Sequence, residues 1–167
     1  MQKKINTSLF VLVSLFLTIS CDSKVVYDEY KPLPNNWHKD SIATFNFKAP
    51  DTINNYNLYV NLRNNNDYAF SNLYLIVELN YPNGKIVKDT LEYKMAAPNG
   101  ELLGSGFTDI KENKLWYRGY KSPFKFTEKG DYSINIQHAM RKNGEVNGVN
   151  NLEGITDIGF RVEQAQK

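Results

Sequence analysis

The sequence predicts an all-β fold, a single antiparallel β-sandwich, jelly-roll-like or immunoglobulin-like, of about seven or eight strands. Three observations carry that prediction. Short stretches alternate apolar and polar residues with the period of two that a half-buried strand imposes. Clusters of Asn, Gly, Pro and Asp separate these stretches at spacings of roughly 8–12 residues. No window repeats its apolar residues at the i, i+3, i+4, i+7 spacing of an amphipathic helix. The chain has 167 residues, enough for one such domain and not comfortably for two. Eleven Tyr, nine Phe and two Trp supply apolar area for a core.

The strands follow in order. "SIATFNFKA" alternates through Ala43, Phe45 and Phe47. "YNLYVNL" sets Tyr56, Leu58, Val60 and Leu62 on one face. "NLYLIVELNY" sets Leu73, Leu75, Val77, Leu79 and Tyr81 on one face. Tyr74 and Ile76 make its other face apolar as well, which predicts a central strand. "YPNGK" is a hairpin turn, because Asn83-Gly84 tolerates positive φ, and "KIVKDTLEYKM" is its return strand. "LWYRGY" and "FKF" flank Ser122-Pro123, where a bend or sheet edge is expected. "GDYSINIQHAM" has the cleanest alternation, with Tyr132, Ile134, Ile136, His138 and Met140 on one side. Tyr132 stands near the start of this strand as in a tyrosine corner. "ITDIGFRVE" closes the domain with Ile158, Phe160 and Val162 inward.

Ahead of the strands lies a leader. Met1–Asn6 carries Lys3 and Lys4, and Leu9–Ile19 is apolar apart from Ser14 and Thr18. That run has the length of a secretory h-region and is too short to cross a bilayer as an ordinary helix. It ends in Ser20, directly before Cys21, the single cysteine of the chain. A small residue followed by Cys after an h-region reads as a bacterial lipoprotein signal. In that reading Cys21 receives an S-diacylglycerol group, becomes the first residue after cleavage, and is then N-acylated. Several acyl chains are needed because one chain anchors only marginally. Thr18 departs from the Leu common three positions before such a cysteine. The competing reading is a plain secretory signal with a bystander thiol, and the position of the sole Cys at the cleavage point favours the lipid. Residues 1–20 are thus read as the signal peptide, 21–40 as a lipidated tether, and 41–167 as the sandwich. Within 22–40, two prolines and a lack of period argue for an extended tether. A structured first strand there is the alternative, with Tyr27, Tyr30 and Trp37 tucked onto the domain.

Several functional classes are disfavoured. The formal charge is +2, from 20 basic and 18 acidic residues, and Lys3 and Lys4 belong to the leader. The mature chain is therefore balanced, unlike a nucleic-acid binder, which needs a basic face. One Cys and two His, His38 and His138, provide no zinc-site spacing and no evident catalytic triad. His138 shares the apolar face of its strand and reads as a hydrogen-bonded core imidazole. Glu78, Glu92, Glu101 and Asp157 could be combined as carboxylate pairs in many ways, and none stands out. Asn64–Asp67 and the Asp109, Glu112, Asn113 group could offer oxygens to calcium, yet Asn and Asp are also ordinary turn formers. "GELLGSG" lacks the Lys and helix of a phosphate loop. The expectation is no enzyme, no catalytic residues, no cofactor and no metal. In "LWYRGY", alternation places Trp116, Arg118 and Tyr120 on one face and Tyr117 on the other. Those three are the candidate interaction surface, because aromatic and Arg residues dominate interface hot spots. Aromatics on a sandwich also suit a carbohydrate-binding envelope protein, the alternative function.

The runs "YDEYKPLPNNWHKDSIATFNFKAPDT", "YNLYVNLRNNNDYAFSNLYLIVELNYPNGKIVKDTLEYKMAAPNGELLG", "GFTDIKENKLWYRGY", "INIQHAMRKNGEV" and "LEGITDIGFRVE" resemble the GldH family of gliding-motility lipoproteins of the Bacteroidota. The resemblance covers nearly the whole chain. It implies a non-enzymatic envelope lipoprotein needed for surface gliding, a structural or assembly component of the gliding and type IX secretion machinery, whose envelope proteins are the expected partners. It carries over Cys21 as the acylated residue and no catalytic residue. "CDSK" lacks an acidic cluster like the surface-export signals of this phylum, so the expected location is the outer membrane, lipid-anchored, on its periplasmic face.

Overall fold

The computed structural model describes residues 24–106 and 108–166. The leader and Cys21 lie outside the described residues. Ten strands form, with no helix among the described residues: β1 (Val25–Pro32), β2 (Asn36–His38), β3 (Ala43–Lys48), β4 (Tyr56–Asn64), β5 (Asn72–Asn80), β6 (Ile86–Lys94), β7 (Lys111–Arg118), β8 (Asp131–His138), β9 (Asn151–Glu153) and β10 (Ile155–Gln164). Eight of them build two four-stranded antiparallel sheets, β1-β10-β4-β7 and β3-β8-β5-β6. β2 and β9 make a small separate pair, in which Trp37 opposes Leu152.

The order is that of a jelly roll. Counting the eight long strands, the first pairs with the last, the second with the seventh, the third with the sixth and the fourth with the fifth. The chain is in effect one long hairpin folded over into two sheets. This pairing decides between the jelly-roll and immunoglobulin-like alternatives in favour of the former. The alternation read from sequence holds strand by strand. Leu73, Leu75, Val77 and Leu79 of β5 are fully buried, as are Leu58, Val60 and Leu62 of β4 and Ile158, Phe160 and Val162 of β10. β5 is central, between β6 and β8.

Two expectations need correction. The stretch 21–40, read as a tether, is part of the sandwich from Val25 onward: β1 pairs with β10 along its length, from Val25–Glu163 to Pro32–Asp157. Its two prolines sit at the end of β1 and just beyond it, on a strand with one unpaired edge, where a missing N–H costs no ladder bond. Its weak alternation reflects that edge position, since only Tyr27 reaches deep into the sandwich. "FKF", expected as a short strand segment beside the bend or edge at Ser122-Pro123, is a loop with a single bridge from Phe124 to Tyr56. Phe126 nevertheless turns fully inward and packs on Phe47, Tyr56 and Tyr132.

The core is aromatic at one end. Phe47 of β3 lies 5.2 Å from Phe160, 5.3 Å from Tyr27, and 5.9 Å from both Phe126 and Tyr132. Each buried ring of this kind contributes about 1.5–3 kcal/mol through burial. The Tyr132 hydroxyl donates to the Glu128 carbonyl at 3.2 Å and accepts from the Glu128 N–H, which ties the chain entering β8 to the strand as a tyrosine corner does. At the other end, Trp37 is fully buried, donates Nε1–H to the Ser41 carbonyl at 2.7 Å, and stands edge-on to His138.

Gly154, between β9 and β10, is where three segments cross. It has φ +84° and bonds Asn35 and Asn65 through its own N–H and carbonyl. A Cβ there would lie 2.2 Å from the Tyr68 backbone nitrogen. Gly154→Ala therefore meets both a left-handed backbone and a backbone clash, and should lose more than about 2 kcal/mol. Urea denaturation followed by tryptophan fluorescence measures this. Stability equal to the parent would show that the crossing relaxes freely.

Candidate interaction surface

The outer face of the first sheet is built from alternate residues of β1, β10, β4 and β7. Register sets Asp28 opposite Arg161, Arg161 opposite Tyr59, and Tyr59 opposite Trp116. One row further, Tyr30 opposes Gly159, Gly159 opposes Asn61, and Asn61 opposes Lys114. The charges pair within the face. Arg161 contacts Asp28 and Glu163, each at 2.6 Å, and Lys114 reaches Glu163 at 2.7 Å while lying 4.1 Å above the Tyr59 ring. Arg63 bonds Glu112 at 3.0 Å and lies 4.3 Å over Tyr30, whose hydroxyl donates to Glu112. Burial pushes the Glu163 carboxyl up, but the bonds from Lys114 and Arg161 outweigh it and hold the group below its ordinary value. The result is a lattice of paired charges and rings in which Tyr59 and Asn61 are buried although they point away from the core.

Trp116 and Tyr120 extend that lattice to its edge. Their rings continue from Tyr59 at 4.4 and 5.3 Å. Trp116 is 38% exposed and Tyr120 is 71% exposed. Together with Lys24, Asn57 and Glu163 they border an open cleft of about 580 Å³. These two residues of the predicted surface are thus brought together.

Arg118, the third predicted residue, is not with them. A bulge opposite the Leu58–Tyr59 step inserts Tyr117 as an extra residue, so Trp116 opposes outward Tyr59 while Arg118 opposes inward Leu58. One inserted residue reverses the parity that simple alternation assumes. Arg118 instead turns across the open seam between the sheets and pairs with Asp89 of β6, which Tyr117 also contacts through its hydroxyl at 3.0 Å. Tyr93 of β6 donates to the Trp116 carbonyl across the same seam. Burial is the main reason the phenols of Tyr93 and Tyr117 are pushed well above their ordinary range, so both stay neutral donors.

Most of the groups weighed for chemistry are engaged elsewhere. His138 is 3% exposed and holds the Trp37 carbonyl through Nε2 at 2.9 Å, which makes Nε2 the protonated nitrogen of a neutral ring. Burial lowers its pKa, with smaller contributions in the same direction from His38 and Lys39. Glu78 accepts from Asn135, Glu92 accepts from Asn72, and Asp157 accepts from Thr156. Asn64 and Asn113 are buried against each other at 2.8 Å, and Asn65, Asp67 and Asn35 bond among themselves. The outer-face lattice was missed by sequence reading, because its members come from four strands and no local spacing marks them.

Residues 25–162 match the family described as GldH lipoprotein. The chain is 53% identical over 159 residues to a gliding motility lipoprotein GldH homolog of Christiangramia forsetii, covering 95% of this chain and 96% of that one. It is 52% identical over 161 residues to gliding motility lipoprotein GldH of Flavobacterium johnsoniae, covering 96% and 98%. Among solved structures, it is similar to the VP2 subviral particle of infectious bursal disease virus. That likeness has a TM-score of 0.36 and 14% identity, over 86% of this chain and 34% of that one, too slight to bear on function.

Arg118→Met should cost about 1–2 kcal/mol, because it leaves Asp89 without its cation in a half-buried seam. Tyr120→Ala should stay within about 0.5 kcal/mol of the parent, as an exposed loop change does. Equal effects in urea denaturation would contradict the different orientations of the two side chains. For His138, the folded pKa lies below the unfolded value of about 6.5. The unfolded chain therefore binds the proton first, and stability falls as pH drops from about 6.5 towards the folded pKa. His138→Gln should flatten that slope, and a slope unchanged in pH-dependent denaturation would assign it to other groups.

Proposed function

Since this chain belongs to the GldH lipoprotein family, we propose that it is a cell-envelope lipoprotein required for gliding over surfaces, acting as a structural or assembly component and not as a catalyst. The observation that carries this reading is the end-to-end match, above half identity, to two gliding-motility lipoproteins. Cys21 is the acylated residue and the membrane anchor. The domain is held at the periplasmic face of the outer membrane and works beside envelope proteins of the gliding and type IX secretion machinery. The outer-face lattice supports a contact role. Its charges neutralise one another and its aromatic rings are already held in place, so little ordering cost remains for a partner to meet.

Deleting the gene in its host should abolish spreading on agar and movement on glass, and unimpaired movement with normal secretion would refute the reading. Cys21→Ser should prevent labelling with a palmitate probe and leave the leader uncleaved by the lipoprotein route. Persistent labelling would place the lipid elsewhere. Cross-linking in intact cells should recover gliding or secretion proteins of the envelope as neighbours.

A further inference from the structure

The antiparallel topology sends every second loop to the same end of the sandwich. Lys24, the β3–β4 loop, the β5–β6 turn, the β7–β8 loop and the residues after β10 all meet there. Backbone and side-chain bonds join them: Gln164 to Lys24, Ala165 to Asn55, Ala49 to Gly130, and Asn83 to Glu128. This end exposes Lys24, Lys48, Lys85, Lys121, Lys125 and Lys129. Among the described residues, none of these six lysines has an ion-pair partner. The same end carries the carboxylates Asp51, Glu128 and Asp131, the last opposite Lys48 in the ladder, so six lysines stand against three carboxylates, while Glu163 is paired with Lys114 and Arg161. Exposed rings and an aliphatic side chain stand among the lysines, with Tyr120 71% and Ile53 76% exposed and Trp116 at the rim. The opposite end exposes Asp40, Asp67, Glu101, Asp109, Glu145 and Glu153, against Lys39, Lys94, Arg141 and Lys142. The two ends of the sandwich therefore differ in charge, although the sequence is nearly balanced.

The position of Cys21 in the sequence gives that difference a direction. Cys21 precedes Lys24 by three residues, a reach of at most about 11 Å, and Lys24 lines the cleft with Trp116, Tyr120 and Lys121. An anchor so close brings this end within about a Debye length of the bilayer. Lysines there are attracted to anionic headgroups, and Trp and Tyr favour the interfacial level. We infer that the lysine-bearing end of the sandwich is a second membrane contact, seated on the anionic phospholipid surface that holds the acyl anchor, with Tyr120 and Trp116 at headgroup level. The contact fixes the domain's orientation and turns the acidic end away from the bilayer. It rests on the acylation of Cys21 proposed above.

Trp116 is a built-in reporter, because the other tryptophan, Trp37, is fully buried towards the opposite end. Full-length protein would be purified with its lipid and reconstituted sparsely into vesicles of phosphatidylethanolamine and phosphatidylglycerol. A headgroup-spin-labelled lipid in these vesicles should quench part of the tryptophan emission, and Trp116→Phe should remove the quenched part. Combined Lys121→Glu, Lys125→Glu and Lys129→Glu changes should reduce the quenching while the acyl anchor keeps the protein on the vesicle. Quenching that survives this reversal unchanged would overturn the role of the lysines. Mass analysis of the N-terminal peptide separates the two readings. An acylated chain whose Trp116 is not quenched overturns this inference and leaves the anchor standing, whereas a chain without lipid overturns both. Emission that changes with protein density and not with the spin label would mean that a second copy covers this end, which also overturns the bilayer contact.

Discussion

Everything in this domain depends on β1 pairing with β10. It joins the first described strand to the last, closes the outermost layer of the nested hairpin, and completes the sheet whose outer face carries the charge–aromatic lattice. It also fixes Lys24 beside Gln164, and so determines the end of the sandwich from which the chain departs towards Cys21. Pairings between chain ends close the largest loops and form late or slowly. The aromatic cluster at this end supplies the compensating burial. Tyr27 on β1, Phe160 on β10 and Phe47 on the facing sheet touch one another there. Gly159 is part of the same arrangement. It lacks the Cβ that would press on the Tyr30 ring at 2.9 Å, so Tyr30 can lie across β10.

The two seams of the sandwich are closed by different chemistry. Between β1 and β3 the contact is largely aromatic, with Lys31 capping the Phe45 ring. Between β7 and β6 it is polar, through Asp89 with Arg118 and Tyr117, and Tyr93 with the Trp116 carbonyl. The bulge in β7 makes this second seam possible, because without it Arg118 would face solvent beside Trp116. The same extra residue leaves Trp116 and Tyr120 as the exposed aromatic edge. A structural device and a candidate contact surface thus share one irregularity, as bulges at sheet edges often do.

What was legible in the sequence was local. Period-two alternation identified the inward faces of β4, β5, β8 and β10, because side chains on a strand alternate whatever the strand pairs with. His138 was readable as a core imidazole for the same reason, and the Asn83-Gly84 turn was marked by its own residues. The end-to-end resemblance to the GldH family was likewise present in the residues themselves. Strand order was not legible, since the hydrogen-bond partner of a strand lies up to the whole chain away and leaves no local spacing. The edge strand β1 was hidden because one bare edge and a sparse inward face weaken its alternation, and its prolines resemble those of a linker.

The sequence by itself determined a β-only domain with nearly balanced charge and aromatic inward faces. Only the tertiary structure decided the jelly-roll order, the inclusion of residues 25–38 in the sandwich, and the separation of Arg118 from Trp116 and Tyr120. It alone gathered six lysines, scattered from Lys24 to Lys129, onto one end of a chain with no basic cluster. The physical reason is the same in each case. Alternation and composition are properties of a segment, whereas pairing, parity after a bulge and the clustering of loops arise from contacts between segments far apart in the chain.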